Sequence, residues 1–320
     1  MPTDNCVSKK IDYLRISLTD RCNLRCSYCM PPEGIASRPH QEIMTLEEIV
    51  EFVKIFSSLG VSKVRLTGGE PLVRRGVIGL IKAIKSVKGI NEVHLTTNGS
   101  LLSFYAEELK GAGINRINIS LDTLREDRFK NITKTQYLGD VLRGIDKANE
   151  FDITPLKLNM VVMRGVNDDE ILDFVEFARQ KRLTVRFIEF MKVTPLWRED
   201  HFIPIDEVID VCKRRYKLEK IGSIDSGPAV YYRMEGGGNL GFIKTDTKVC
   251  RDCTRLRLTS TGEFKICLYE TEGLRLKDLL RGGSSEYEIK EVINKKLLTK
   301  RCTNFENYKL PNIFMSRVGG

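Results

Sequence analysis

Histidine is scarce in this chain. His40, His94 and His201 are the only three in 320 residues, and no two lie close in sequence. A histidine-rich metal site is therefore excluded. Long apolar runs are missing as well: nowhere do about eighteen apolar residues follow one another, as a membrane-spanning helix requires. The opening stretch MPTDNCVSKKIDYLRISL has no continuous apolar segment and no small-residue cleavage site, so it does not read as a signal peptide. The expected location is cytoplasmic, with no membrane partner. There is no low-complexity tract, and the densest basic run is only KRRYK at 213–217, which reads as a solvated helix face. The formal charge of +9 then fits a small polyanionic ligand better than nucleic acid.

Cysteine, by contrast, is plentiful, with nine in the chain. A reducing cytosol argues against a disulfide framework, and clustered cysteines there more often bind metal or perform chemistry. Cys22, Cys26 and Cys29 are spaced C-x3-C-x2-C, and Cys250, Cys253 and Cys267 are spaced C-x2-C-x13-C. Each set is one thiolate short of the closed four-ligand shell of structural zinc. Thiolates also suit iron–sulfur clusters, and a four-iron cluster held by three cysteines keeps one iron open to another ligand. Cys6, Cys212 and Cys302 stand alone; Cys212, in the helical run PIDEVIDVCKRRY, reads as a small apolar residue.

Residues 11–191 alternate strand-like and helix-like segments, giving six strands. The first helix carries its own start and stop signals: Thr45 with Glu48 forms a capping box, and Gly60 follows the last turn. Such alternation implies an α/β fold of right-handed parallel βαβ units, curled into a partial barrel or spread as a doubly wound sheet. From about 217 the pattern becomes short, β-rich and Gly-punctuated, as in antiparallel hairpins. The expected division is 1–216 as the α/β domain and 217–320 as a smaller β-rich C-terminal module laid against it.

Four strands carry a cation inside an apolar run: Arg15, Arg65, Lys157 and Arg186. Parallel strands are normally almost wholly apolar, and an unpaired buried charge costs several kcal/mol. Glu189 could partner one of them. The rest imply a positively lined cavity for a phosphate-bearing ligand.

The first cysteine triplet, with Tyr28 before its last cysteine and GGEP at 68–71 one strand later, resembles the radical S-adenosylmethionine enzymes. The second triplet, with Arg255-Leu256-Arg257 just inside it and Gly319-Gly320 at the end, narrows the resemblance to the MoaA family, the GTP 3′,8-cyclases of molybdenum cofactor biosynthesis. The likeness spans Arg15 to Gly320 without a departure in its motifs. It implies a partial (β/α)6 barrel whose C-terminal module carries a second cluster. Cys22, Cys26 and Cys29 would hold a [4Fe-4S] cluster that cleaves S-adenosylmethionine, with Tyr28, Gly69, Ser120 and Met191 contacting that cofactor. Cys250, Cys253 and Cys267 would hold a second [4Fe-4S] cluster facing the guanine of GTP. Arg15, Arg65, Thr96, Lys157, Arg255, Leu256 and Arg257 would bind GTP, with Arg186 and Lys63 as further phosphate contacts. Gly319 and Gly320 would enter the active site. The implied reaction is abstraction of the ribose 3′ hydrogen and closure of C3′ onto guanine C8, giving 3′,8-cyclo-7,8-dihydro-GTP. The implied partners are an electron donor, a second copy in a homodimer, and cyclic pyranopterin monophosphate synthase as the next enzyme. A radical peptide-modifying enzyme with an auxiliary cluster, or a cluster-bearing sensor, are the competing readings.

Two three-thiolate sites predict about eight irons per chain in protein prepared without oxygen. Replacing Cys250, Cys253 and Cys267 together by Ala should leave about four. Stoichiometric zinc, or a triple variant that keeps all its iron, would contradict this.

Overall fold

A strand buried on one face and lining a cavity on the other must alternate, and the six N-terminal strands do. The structure is a computed structural model that describes residues 11–36, 38–153, 155–223, 227–245, 253–302 and 314–318, the side chains of 301, 302 and 318 excepted. Strands β1 (Tyr13–Ser17), β2 (Lys63–Thr67), β3 (Glu92–Thr97), β4 (Arg116–Ser120), β5 (Leu156–Val162) and β6 (Thr184–Glu189) pair in parallel, each with the next. Leu14, Ile16, Val64, Leu66, Val93, Leu95, Ile117, Ile119 and Leu158 are fully buried on the face that packs into the main core. The intervening positions are polar: Arg15, Arg65, His94, Arg116, Asn118, Asn159. The strand cations are therefore not intruders in an apolar run; they belong to an inner, cavity-lining face.

Helices α1 (Leu46–Ser58), α2 (Val77–Lys85), α3 (Leu102–Gly111), α4 (Glu126–Thr133), α5 (Leu138–Glu150), α6 (Ile171–Gln180) and α7 (Ile205–Arg215) follow the strands. The capping box of α1 forms as expected, with Glu48 N–H donating to Thr45 Oγ1 at 3.1 Å and Thr45 N–H donating to Glu48 Oε2 at 2.7 Å. Cys212 is buried in α7, where desolvation pushes its thiol up to about 12, as befits an apolar role. Helix α4 is not evident from the sequence, because its segment EDRFKNIT is mostly charged and polar and buries only Phe129, Ile132 and Thr133.

The C-terminal strands do not form a layer of their own. They are β7 (Leu218–Gly222), β8 (Val230–Met234), β9 (Asn239–Ile243), β10 (Arg255–Leu258), β11 (Glu263–Lys265) and β12 (Leu274–Arg275). All twelve lie in one sheet, ordered β12-β11-β10-β1-β2-β3-β4-β5-β6-β9-β8-β7. The expected antiparallel hairpins are present, but β10 joins β1 in parallel and β9 joins β6 in parallel. An open barrel of six strands has two bare edges of unpaired backbone, and these strands cover both. Helices α8 (Leu276–Arg281) and α9 (Glu286–Cys302) follow, with a single-turn helix α10 (Met315–Val318) near the end of the described residues. Arg281 ties it back to the barrel, donating to Glu48 Oε1 at 2.6 Å and to the Gln41 carbonyl at 2.5 Å. No helix among the described residues is long and apolar enough to cross a membrane.

The loop after β1 is clamped by the loop after β2. Gly69 N–H donates to Thr19 O at 2.7 Å and Glu70 N–H to Arg21 O at 2.8 Å. A Cβ on Gly69 would stand 2.3 Å from the Arg21 carbonyl oxygen, a contact only backbone movement could relieve. Gly69→Ala should therefore destabilise the protein by about 1–3 kcal/mol, the usual cost of overpacking. Gly79, on α2, has nothing within 4 Å of its would-be Cβ. Gly79→Ala should be neutral or stabilise by up to about 1 kcal/mol through helix propensity. Thermal denaturation of both variants checks the contrast.

Candidate active site

The polar inner face of the barrel encloses a cavity of about 570 Å³. At the carboxyl ends of the strands it meets the loop after β1, where Cys22, Cys26 and Cys29 are half-buried free thiols lining the wall. Arg25 braces this loop by donating to the carbonyls of Cys22 and Leu24 at 2.6 and 3.0 Å. Asn98 reaches in from the end of β3, its Nδ2 lying 3.8 Å from Cys22 Sγ and 2.9 Å from Asn23 Oδ1. Glu70, the acidic residue of GGEP, is wholly buried and accepts from Leu72 N–H, Thr97 Oγ1 and Asn98 N–H. Burial lifts its carboxyl to about 7 against the pull of those donors. One side chain thus locks the ends of β2 and β3 together beneath the cysteine loop.

Tyr28 donates its hydroxyl to Asp122 Oδ2 at 2.6 Å, while Asp122 Oδ1 accepts from Val161 N–H at 2.9 Å. Burial, set against these hydrogen bonds, raises the Asp122 carboxyl to about 6. Desolvation pushes the Cys22 thiol to about 11 and Cys29 to about 12, and raises Cys26 well above the ordinary thiol range. Such thiols stay protonated alone and ionise on binding a cation. The backbone N–H of Ser316 donates to the Cys29 sulfur, so the segment near the C-terminus reaches this end of the cavity.

Cys253 and Cys267 line the same cavity, whereas Cys250 lies outside the described residues. Lys300, from α9, joins the two segments that carry them, just before β10 and just after β11: its ammonium donates to Arg255 O at 2.8 Å and Ile266 O at 2.5 Å, and lies 3.9 Å from Cys253 Sγ. Burial alone would raise the Cys253 thiol, but Arg255 and Lys300 outweigh it and bring it down to about 7. Among the described residues no three His, Cys, Asp or Glu side chains are grouped to hold one metal ion. A four-iron cluster engages each thiolate through a different iron, so an all-cysteine triplet spread around a cavity suits it.

The wall between is basic. Register places Arg257, Arg15, Arg65, His94 and Arg116 side by side across β10, β1, β2, β3 and β4. All five line the cavity. Desolvation, then Arg257, depress Arg15 well below the ordinary guanidinium range. Desolvation, then Arg255, bring Arg257 to about 10. Tyr13 ionises more readily than usual: burial opposes this, but Arg65 and Arg15 prevail.

The structure gathers most of the residues singled out from sequence into this one cavity. Tyr28, Gly69, Ser120 and Met191 line it, as do Arg15, Lys63, Arg65, Thr96, Arg186, Arg255 and Arg257. Two residues depart. Leu256 faces the opposite way from its arginine neighbours and is fully buried in the main core beside Leu14, since successive strand residues alternate. Lys157, opposite Asn118 in the register, is not among the residues lining the cavity; its ammonium lies 2.8 Å from the Tyr231 hydroxyl and 4.9 Å from that ring's centroid. Glu189 serves backbone rather than the strand cations in its described hydrogen bonds, accepting from Ile205 N–H at 2.9 Å and Thr245 N–H at 2.7 Å. Cys6, Gly319 and Gly320 lie outside the described residues, and the side chain of Cys302 is not described. Sequence reasoning missed His94, Asn98, Arg116, Asn118, Asp122 and Asn159. His94 and Arg116 were legible, because both keep the inward phase set by Arg15 and Arg65. Lys300 carried no signal, as nothing in a helix sequence shows which cysteine it will meet.

Known proteins share sequence with this chain along most of its length. Residues 16–178 match the Radical SAM superfamily and residues 183–306 match Molybdenum Cofactor Synthesis C. A GTP 3′,8-cyclase of Syntrophomonas wolfei is 50% identical over 289 residues, covering 89% of each chain. Another, of Peptoclostridium acidaminophilum, is 47% identical and covers 98% of this chain and 96% of its own. The GTP 3′,8-cyclase of Thermodesulfovibrio yellowstonii is 43% identical over 98% of both. Among solved structures, Streptococcus suis SuiB bound to S-adenosylmethionine superposes with a TM-score of 0.59 at 17% identity, over 88% of this chain and 68% of that one. Native anSMEcpe with bound AdoMet gives 0.56 at 14% identity, over 95% and 93%. These two share the fold. The profile matches and the near full-length relatives together establish that the chain belongs to the radical SAM superfamily and, within it, to the GTP 3′,8-cyclase family.

Proposed function

We propose that this chain converts GTP to 3′,8-cyclo-7,8-dihydro-GTP in molybdenum cofactor biosynthesis, with S-adenosylmethionine as the radical source and a [4Fe-4S] cluster at each cysteine triplet. The observation that carries the reading is one cavity with cysteine thiols in two places and a row of guanidinium groups along its wall. The superfamily implies S-adenosylmethionine and one [4Fe-4S] cluster. The second cluster rests on Cys253 and Cys267, with Cys250 as the third ligand.

When bound, the first cluster supplies the electron that splits S-adenosylmethionine into methionine and a 5′-deoxyadenosyl radical. Everything else falls to the chain. Cys22, Cys26 and Cys29 hold that cluster, and the Gly69 clamp with the Glu70 lock fixes their loop. Tyr28, Gly69, Ser120 and Met191 hold the cofactor. Arg15, Arg65, Thr96, Arg255 and Arg257 bind the nucleotide, joined by Lys63 and Arg186; Lys157 adds its charge without lining the cavity. The arginine row neutralises the triphosphate and so sets where the ribose can lie. Orientation of this kind is where a protein contributes most to radical chemistry, together with keeping water from the reactive carbon. For Gly319 and Gly320, outside the described residues, a role at the active site rests on the family resemblance alone.

An external donor provides one electron for the cleavage and another for the radical left after ring closure. We infer a homodimer in the cytoplasm whose product passes to cyclic pyranopterin monophosphate synthase.

The test is incubation of reduced, reconstituted protein with S-adenosylmethionine and each ribonucleoside triphosphate in turn, without oxygen. GTP alone should yield 5′-deoxyadenosine together with a cyclised nucleotide of the same mass as GTP, separated from it by chromatography, because the 3′ hydrogen lost is replaced by one electron and one proton. Cys26→Ala should abolish 5′-deoxyadenosine altogether. Cys253→Ala should still cleave S-adenosylmethionine yet form no cyclised nucleotide. Equal turnover of all four triphosphates, or cleavage surviving in Cys26→Ala, would overturn the reading.

A further inference from the structure

The arginine row contains one residue that is not an arginine. His94 sits between Arg65 and Arg116, 3% exposed, at the level where its neighbours are all cations. Its Nδ1 lies 3.1 Å from the Arg65 Nη2, and its Nε2 lies 2.7 Å from Glu92 Oε2. Arginine has no acceptor, so Nδ1 must present its lone pair and the ring proton must sit on Nε2, donated to Glu92. Glu92 is itself held near Lys63, at 3.8 Å, and Lys63 lies 3.6 Å from Asp12.

Arg65 is gripped from two further sides. Its Nε donates to the Tyr13 hydroxyl, and its Nη1 donates to Thr96 Oγ1 at 3.2 Å. Three of the five guanidinium N–H groups are thereby engaged among the described residues, leaving two for a ligand. A planar donor fixed in this way suits bidentate recognition of a phosphate. A histidine at this point does two things a further arginine could not. It accepts a hydrogen bond from the cation beside it, and it adds no charge to a row already crowded with positive charge.

We propose that Glu92 and His94 are positioning residues of the anion site: His94, oriented by Glu92, holds the Arg65 guanidinium with its two remaining N–H groups available to a polyphosphate. Neither touches the reacting atoms. The inference rests on the reading of this cavity as a polyphosphate site, and its test does not depend on which nucleoside carries the phosphates.

The experiment is calorimetric binding of inorganic tripolyphosphate, and of GTP, to cluster-containing protein kept without oxygen. His94→Phe preserves ring size and removes the acceptor, and should weaken tripolyphosphate about tenfold, the worth of one hydrogen bond to a charged group. His94→Asn places an amide oxygen near the position of Nδ1 and should restore most of that loss. Glu92→Gln should weaken binding about threefold, as expected of a partly exposed ion pair. In an Arg65→Met background, adding His94→Phe should change affinity by less than about twofold, because the residue acts through Arg65. Melting temperature monitors folding throughout, and the Asn variant serves if the Phe variant does not fold. The proposal fails if His94→Phe costs the same factor with and without Arg65, if Asn is no better than Phe, or if the wild type binds no tripolyphosphate. Binding of tripolyphosphate with the expected pattern but no binding of GTP would leave the positioning role intact and remove GTP as the substrate.

Discussion

Like charges held at one level of a sheet are the constraint on which the rest of this structure turns. Adjacent strands lie about 4.8 Å apart, and at that spacing two like unit charges repel by roughly 3–4 kcal/mol at an effective dielectric of 20. Arg257, Arg15, Arg65 and Arg116 occupy one such level. Burial first, and the neighbouring guanidinium groups second, depress the proton affinities of Arg15 and Arg257. Tyr13, Thr96 and the neutral ring of His94 interleave the cations and accept from Arg65. An apolar outer face of Leu, Ile and Val, buried under the helices, supplies the stability that lets the inner face stay polar. A barrel filled with bulky aliphatic layers would be more stable and would have no room for a ligand.

The C-terminal strands make the cavity what it is. Had they folded as a separate layer, Arg255, Arg257, Cys253 and Cys267 would have no fixed relation to the barrel. Parallel pairing of β10 with β1 instead sets Arg257 beside Arg15 and brings the second pair of thiols to the wall that the first triplet already shares. Lys300 then ties the two cysteine-bearing segments to α9, and Arg281 ties α8 to α1. The first cysteine loop is secured differently, by the fit of Gly69 against the Arg21 carbonyl and by the three hydrogen bonds to Glu70.

Local features were readable in the sequence. The six strands, the capping box at Thr45 and Glu48, the apolar role of Cys212 and the turn of hairpin-rich sequence after 217 are set within a few residues of themselves. What was not readable depends on partners far along the chain. Tyr13 pairs with Arg255, and no local pattern announces that the C-terminal hairpins will divide between two distant edges of the sheet. Lys157 looked like its fellow strand cations, yet its ammonium meets the Tyr231 hydroxyl from β8 and it does not line the cavity. Leu256 sat between two site arginines and took the opposite face, as alternation requires. The same alternation, applied from Arg15 and Arg65 to β3 and β4, would have added His94 and Arg116 to the site.

The central claim is that the arginine row is completed by the phosphates of a ligand. The most direct measurement is the melting temperature of the anaerobically prepared, cluster-containing protein against rising concentrations of inorganic tripolyphosphate and, separately, of guanosine. Ligand bound only to the folded state at about a hundred times its Kd adds about 2.7 kcal/mol. The account predicts that tripolyphosphate raises the melting temperature by several degrees and that added salt erodes the gain, while guanosine has a small effect that salt leaves unchanged. Stabilisation by guanosine equal to that by tripolyphosphate, or none by tripolyphosphate at low salt, would contradict it.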